Sequence, residues 1–235
     1  MMSSAQRLSD IQLRIRKACE MANRPVESVS LLAVSKTFPA EAVLDLARLG
    51  QTAFGENYLQ EAEDKITQLA DTPECPTLTW HFIGPVQSNK TKSIASLFAW
   101  VHSVDRLKIA QRLSSQRPAE LGPLNILLQV NTSGEASKSG LNPAEVEEVA
   151  GTVAKLANLN LRGLMTIPNP DHGEEDLQRE FLMCKSLMDK LNQTGLHLDT
   201  LSMGMSQDLE TAIACGSTCV RVGTALFGKR DYSNR

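Results

Sequence analysis

Ser30-Leu31-Leu32-Ala33-Val34-Ser35, running straight into Lys36-Thr37, is an apolar run too short for a helix. It reads as a buried strand. Upstream, Leu8, Ile11, Ile15, Ala18 and Met21-Ala22 recur at helical spacing, so residues 5–22 read as an amphipathic helix. Downstream, Pro39 suits a helix start and Gly50 a stop, which gives a helix over 40–49.

The strand–helix unit then repeats along the chain. Strands are expected at 52–54, 78–83, 100–104, 125–130, 161–167, 198–203 and 218–222. Helices are expected near 57–70, 87–98, 105–116, 143–156, 174–194 and 207–215, with a short helical tail after the last strand. Most strands are continuous apolar runs, the pattern of strands covered by protein on both faces. Units of this kind without a long break in composition favour a closed (β/α)8 TIM barrel, with the N-terminal helix outside it, over an open doubly wound sheet. No linker divides the chain, so residues 1–235 are expected to form a single domain.

Of the 235 residues 42% are hydrophobic and only 4% aromatic, so aliphatic packing should dominate the core. The formal net charge of −3, with no basic run, argues against a nucleic-acid partner. No apolar stretch reaches the roughly 20 residues that span a bilayer. The start of the chain lacks a secretory pattern and the cysteine count of 5 is odd, which together point to the reducing cytoplasm. Cys215 and Cys219 lack companions at zinc spacing and read as core residues. The 4 histidines show no metal spacing, so no metal is expected, and His81 and His102, inside strands, read as hydrogen-bonded structural histidines. Gly134 to Ser139 is not a P-loop, because the second glycine before Lys138 is missing. No obvious exposed apolar stripe remains once the helices are assigned, so a monomer is expected.

In such barrels the site lies where strands pass into the following loops. Lys36 follows the first strand at a buried rim. Lost hydration there would lower its pKa and make it a nucleophile toward an aldehyde, while a snorkelling stem is the plain alternative. Gly204-Met205-Ser206 and Gly223-Thr224 follow strands seven and eight, the common phosphate position, where glycine backbones and hydroxyls supply donors. Turn chemistry alone would also use such residues. Arg221, between Val220 and Val222, points either into the barrel or into the helix layer. It needs a partner, for which a ligand ring nitrogen or a carboxylate such as Glu56 would serve.

Together, Leu31-Leu-Ala-Val-Ser-Lys36-Thr37, Phe54-Gly-Glu-Asn-Tyr58, Trp80-His-Phe-Ile-Gly84, Ser137-Lys-Ser-Gly140, Gly163-Leu-Met165, Leu201-Ser-Met-Gly-Met-Ser206 and Val220-Arg-Val-Gly-Thr224 through Phe227-Gly228 span nearly the whole chain. In order and content they resemble the YggS/PROSC-type pyridoxal-phosphate homeostasis proteins. The resemblance implies a barrel like the N-terminal domain of alanine racemase (fold type III among PLP proteins), with pyridoxal 5′-phosphate held as a Schiff base on Lys36. It implies phosphate contacts from Ser206, Gly223 and Thr224, with Asn57 near the ring and Arg221 at the pyridine nitrogen. Lys138 matches a lysine near the site. The implied role is vitamin B6 homeostasis: binding, buffering and release of PLP, linkage to amino-acid pools, and transient contact with PLP-dependent apoenzymes.

Two positions depart from some relatives. Phe38 stands where a second lysine occurs, and the tail Asp231-Tyr-Ser-Asn-Arg235 lacks terminal lysines. A racemase needs an acid/base group on each face of the substrate α-carbon. In the resembling racemases the second group is a tyrosine from a separate C-terminal domain, and here the only tyrosines are Tyr58 and Tyr232. An arginine at the ring nitrogen cannot accept its proton, which weakens the ring as an electron sink. A carrier without robust turnover is therefore expected. The alternatives are a weakly active, racemase-like PLP enzyme and a phosphorylated-sugar barrel enzyme.

Overall fold

Ser3 starts the first helix by a reciprocal cap. Its hydroxyl accepts the Gln6 N–H at 3.2 Å while its own N–H donates to the Gln6 side chain at 2.9 Å. The computed structural model describes residues 2–135, 137–169 and 171–228. Helix α1 (Ser4–Met21) precedes eight strands: β1 (Ser30–Val34), β2 (Ala53–Glu56), β3 (Thr79–Phe82), β4 (Trp100–Val104), β5 (Leu124–Val130), β6 (Leu159–Thr166), β7 (Thr200–Ser202) and β8 (Cys219–Val222). Each pairs in parallel with the next, and β8 returns to β1, so the barrel closes. Helices α2 (Ala40–Arg48), α3 (Leu59–Ala70), α4 (Thr91–Leu97), α5 (Leu107–Gln116), α6 (Val146–Val153), α7 (Glu174–Gln193), α8 (Leu209–Ala214) and α9 (Thr224–Phe227) follow the strands in turn.

Strand alternation divides the buried residues into two sets. Ala33, Phe54, Phe82, Val101, Val220 and Val222 join the large apolar layer between barrel and helices. The residues between them point into the barrel, where Arg221 meets Ser202 and His81 meets His102. Helix α1 lies outside the barrel against α8 and α9. It buries Leu8, Ile11, Ile15, Ala18 and Cys19.

Every expected element is present, and the differences lie at the ends. The helix expected from residue 87 begins at Thr91, because Gln87–Lys90 forms a turn closed by Lys90 N–H to Gln87 O at 2.9 Å. Pro143–Glu145 is a 3-10 turn capped by Asn142, so the helix expected from 143 starts at Val146 and ends at Val153. Strand β6 begins two residues early, at Leu159, because Leu159 and Asn160 already pair with Leu124 and Asn125 of β5.

Candidate functional site

Strand β1 delivers Ser35-Lys36-Thr37 to the C-terminal rim, and a buried charge cluster fixes that segment. Lys65 Nζ, on α3, donates to Ser35 O and Glu56 Oε1 at 2.7 Å and to Glu61 Oε1 at 2.6 Å. Ser35 Oγ donates to the same Glu56 oxygen at 2.6 Å, and Thr37 N–H donates to Glu61 Oε1 at 2.5 Å. Both neighbours of Lys36 are thus held by side chains of β2 and α3. Thr37 has φ 67°, a left-handed conformation that is unfavourable for a β-branched residue and persists only where surroundings enforce it. Lys36 itself is half-buried. Burial pushes the Glu56 carboxyl above the usual carboxylate range, with Lys65 and Ser35 pulling it back.

The neighbouring loops converge on the same rim. Asn57 directly follows β2, with its Oδ1 buried, and its backbone packs so closely on Gly84 that a Cβ there would collide with it. After β7, Gly204 turns with φ 96°, where a Cβ would lie 2.6 Å from that of Ala212. Asp208 then accepts the Met205 N–H and fixes the turn that presents Ser206. After β8, Gly223 comes close enough to Val34 that a Cβ would sit 3.3 Å from Val34 O. Phe38 stacks on Phe227 with ring centroids 4.8 Å apart. The segment bearing Lys36 and the Gly223-Thr224 loop are therefore clamped together. Ser206 and Gly223 are half-buried and Thr224 is exposed at the rim.

Arg221 resolves the choice left open by its position. Its side chain enters the barrel, where Nη1 donates to Ser202 O at 2.6 Å and to Ser202 Oγ at 2.7 Å, and Nη2 donates to Thr166 O at 2.9 Å. Glu56 is not its partner. Burial pulls the guanidinium below its ordinary value, yet a group with that starting pKa remains a cation. Lys138 stands on the loop after β5, 3.3 Å from Glu135 Oε1 but not aligned for a hydrogen bond. Tyr58 caps α3 and is 55% exposed. Tyr232 and the 231–235 tail lie outside the described residues.

Several contributors carry no signal of their own in the sequence. Arg14, on α1, donates to Ser206 O at 2.9 Å and pairs with Glu210 at 2.7 Å, and Arg7 Nε donates to Leu226 O at 2.5 Å. The outer helix therefore braces both final loops. Phe38, noted only as a departure from a lysine, is part of the clamp.

The structural reading of the two strand histidines holds: His81 Nδ1 and His102 Nε2 are 2.9 Å apart in the barrel interior. Burial lowers His81 to about 3 and lowers His102 well below the ordinary histidine value. An unfolded histidine takes up its proton near about pH 6.5, while these folded ones do so only at far lower pH. Between those limits the unfolded chain binds more protons, so stability falls as pH falls, by roughly 1.4 kcal/mol per pH unit for each ring. Urea midpoints measured between about pH 6.5 and about pH 5 should decline accordingly. A His81→Phe variant should show a shallower slope over that window, and an unchanged slope would contradict the assignment. The cysteines behave as core residues: Cys215 and Cys219 are buried, and burial pushes Cys184 up to about 12.

A closed parallel barrel whose first-strand lysine, second-strand asparagine and last two glycine turns share one rim defines a class, that of the alanine racemase N-terminal domain. The family described as "Alanine racemase, N-terminal domain" matches residues 7–231. An alanine racemase of Clostridium difficile superposes with a TM-score of 0.72 at 16% identity, covering 96% of this chain and 58% of that one, which shows the shared fold. The Pyridoxal phosphate homeostasis protein of Pseudomonas aeruginosa is 56% identical over 99% of this chain and 98% of its own length. PipY of Synechococcus elongatus, solved with PLP bound, superposes with a TM-score of 0.83 at 36% identity, covering 96% of this chain and all of that one. The chain belongs to the pyridoxal phosphate homeostasis protein family, within the wider alanine racemase N-terminal-domain group.

Proposed function

We propose that this chain binds pyridoxal 5′-phosphate covalently through Lys36 and serves in its homeostasis by buffering and releasing it. The observation that carries this reading is a set of unmet polar atoms. Among the described residues, the buried side-chain atoms without a hydrogen-bond partner are Thr37 Oγ1, Glu56 Oε2, Asn57 Oδ1 and Lys138 Nζ. Thr37, Glu56 and Asn57 lie at or just after the C-terminal ends of β1 and β2, and Lys138 lies in the loop that follows the C-terminal end of β5. Buried polar groups are normally satisfied, so such a concentration suits a polar ligand. The relatives' names and the PLP-bound PipY support the identity of that ligand.

The residues present fit the cofactor. Ser206, Gly223 and Thr224 would hold the phosphate through backbone N–H groups and hydroxyls. Asn57 would lie beside the ring, and Arg221 would face the ring nitrogen as a donor only. When bound, the cofactor supplies an aldehyde that condenses with an amine, releasing water, and a ring that draws electrons from the attached carbon. Lys36 supplies the amine. The Glu56–Lys65–Glu61 cluster holds its backbone, and Arg221 denies the ring nitrogen a proton acceptor, which favours retention over turnover.

The whole chain, 1–235, would act as one binding unit, a monomer in the reducing cytoplasm that meets apoenzymes transiently. The cysteines are free thiols. Exposed large apolar side chains such as Leu13, Leu49, Leu121 and Leu182 are spread over separate elements. No helix among the described residues is long and apolar enough to cross a membrane.

Incubation with pyridoxal 5′-phosphate should produce an absorbance band near the visible edge that survives desalting. Absence of the band, or steady alanine racemisation at about 1 per second or faster, would refute the carrier reading. Thr224→Ala should weaken retention by about 1–3 kcal/mol, the size of a hydrogen bond to a charged group, seen as faster cofactor release on dilution. Unchanged release kinetics would remove Thr224 from the phosphate site.

A further inference from the structure

At the N-terminal ends of the strands, opposite the rim that bears Lys36, the barrel opens into a cavity of about 260 Å3. Its walls include His81, Trp100, His102, Arg162, Asp199 and Glu27. Two strand irregularities build it. In β6, Leu161 stands opposite Ile126 and Gly163 opposite Leu127, so Arg162 is an extra residue. In β4, Val101 stands opposite Ile126 and Val104 opposite Leu128, so His102 and Ser103 together face one residue. Bulges re-aim side chains and are over-represented beside functional sites. Gly163 permits the first: a Cβ there would collide with the carbonyl oxygen of Thr200.

The re-aimed Arg162 lies over the Trp100 ring, 4.8 Å from its centroid, and His81 stacks on that ring with centroids 5.3 Å apart. Arg162 donates to Asp199 and to Asn125 Oδ1. Those bonds engage Nε, one Nη1–H and one Nη2–H, and a guanidinium has five N–H donors. The remaining two make no hydrogen bond among the described residues.

A hydrogen-bond chain leads from this cavity through the barrel. His81 Nδ1 and His102 Nε2 are 2.9 Å apart, His102 Nδ1 and Ser202 Oγ are 2.9 Å apart, and Arg221 Nη1 donates to Ser202 Oγ at 2.7 Å. Proton bookkeeping gives the chain a direction. Arg221 can only donate, so Ser202 Oγ accepts from it, and we assign the hydroxyl's one O–H to His102 Nδ1 as its acceptor. A neutral His102 then carries its proton on Nε2 and donates to His81 Nδ1. The His81 proton is left on Nε2, which has no partner among the described residues. A fixed cation near one end of the barrel thereby makes the other end present an N–H donor.

Two carboxylates line the same cavity. Asp199 keeps 54% of its side chain exposed, and Glu27 is exposed on the turn before β1. The cavity thus offers imidazole and guanidinium N–H groups together with carboxylate oxygens. We propose that it is a second binding site, for a small zwitterion bearing a carboxylate and an ammonium group, and that the Ser202–His102–His81 chain conveys its occupancy to Arg221. A carboxylate pulling on His81 Nε2–H strengthens each successive bond and holds Arg221 more firmly toward Ser202. The transmission half rests on Arg221 facing the cofactor ring. The binding half does not.

The test uses protein with 15N-labelled histidine, loaded with pyridoxal 5′-phosphate and reduced with borohydride so that an added amine cannot exchange at Lys36. Long-range nitrogen–proton correlation reads each tautomer. His81 and His102 should both be neutral with the proton on Nε2, and an Nδ1–H ring or an imidazolium at about pH 7 would overturn the chain's direction. L-Alanine as probe should shift the His81 ring nitrogens saturably at concentrations on the order of 10 mM or below. Acetate and methylammonium, each carrying one half of the charge pattern, should bind at least about tenfold more weakly. His81→Phe, which keeps an aromatic ring beside Trp100, should lose the saturable response when followed by calorimetry. Ser202→Ala, which removes the link that sets the His81 donor, should weaken L-alanine binding while leaving it saturable through Arg162 and the carboxylates, and should lose the accompanying change in fluorescence of the reduced cofactor. No saturable shift, or equal binding of acetate, would overturn the site. Binding that leaves the wild-type cofactor fluorescence unmoved would overturn the coupling. If the protein cannot be loaded, the cofactor reading fails, while the tautomer and L-alanine measurements on the chain as purified still decide the binding half.

Discussion

Lys36→Ala is expected to abolish covalent capture of pyridoxal 5′-phosphate: borohydride treatment followed by intact-mass measurement should find one cofactor per wild-type chain and none on the variant. The expectation rests on where the rim amines stand. Lys65 Nζ already donates to three oxygens at 2.6–2.7 Å behind the rim. Lys138, beyond β5, sits against Glu135. The amine carried between the pinned residues Ser35 and Thr37 is the one on the strand adjoining the Gly223-Thr224 loop. Noncovalent affinity should persist in the variant, because hydroxyls and backbone donors on β7 and β8 loops do not depend on Lys36. A stoichiometric adduct relocated to another lysine would show that the rim selects the aldehyde by phosphate anchoring alone, and would remove Lys36 from its assigned role.

The barrel was legible in the chain because each strand is a short apolar run with a helix-period segment after it. The rim positions of Lys36, Ser206 and Thr224 were legible because they stand where those runs end. Other parts of the site were hidden for physical reasons. Glu61 and Lys65 have the spacing of an ordinary surface ion pair on a helix, and only docking of α3 over the ends of β1 and β2 buries Lys65. Arg162 and His102 depend on strand register, and a bulge moves a side chain without leaving a mark on apolar periodicity. Arg7 and Arg14 look like solvated residues of an amphipathic helix. Their targets, Leu226 O and Ser206 O, lie some two hundred residues away in sequence. Phe38 looked like the loss of a lysine, whereas its stacking on Phe227 is a gain in contact between two loops.

The second large effect expected is on stability, from Lys65→Met. Glu56 is fully buried, and one of its oxygens already lacks a partner. Removing the ammonium leaves that carboxylate facing Ser35 Oγ alone, and breaking a buried pair on one side typically costs about 3–5 kcal/mol. Against a total of about 5–15 kcal/mol for a folded domain, the urea midpoint should drop markedly. Glu56→Gln combined with Lys65→Met removes the uncompensated charge while keeping an acceptor for Ser35 Oγ, so much of the lost stability should return. Retention of pyridoxal 5′-phosphate should not return with it. Ser35 O and Glu61 both lose their contact with Lys65 in the double variant, and Thr37 holds a left-handed conformation that costs about 1–3 kcal/mol unless enforced. A stable double variant that releases cofactor faster than wild type would separate the two functions of the cluster, neutralising charge and holding the segment around Lys36. Full recovery of both would mean that the cluster serves the fold alone and that the rim holds Lys36 in place without it.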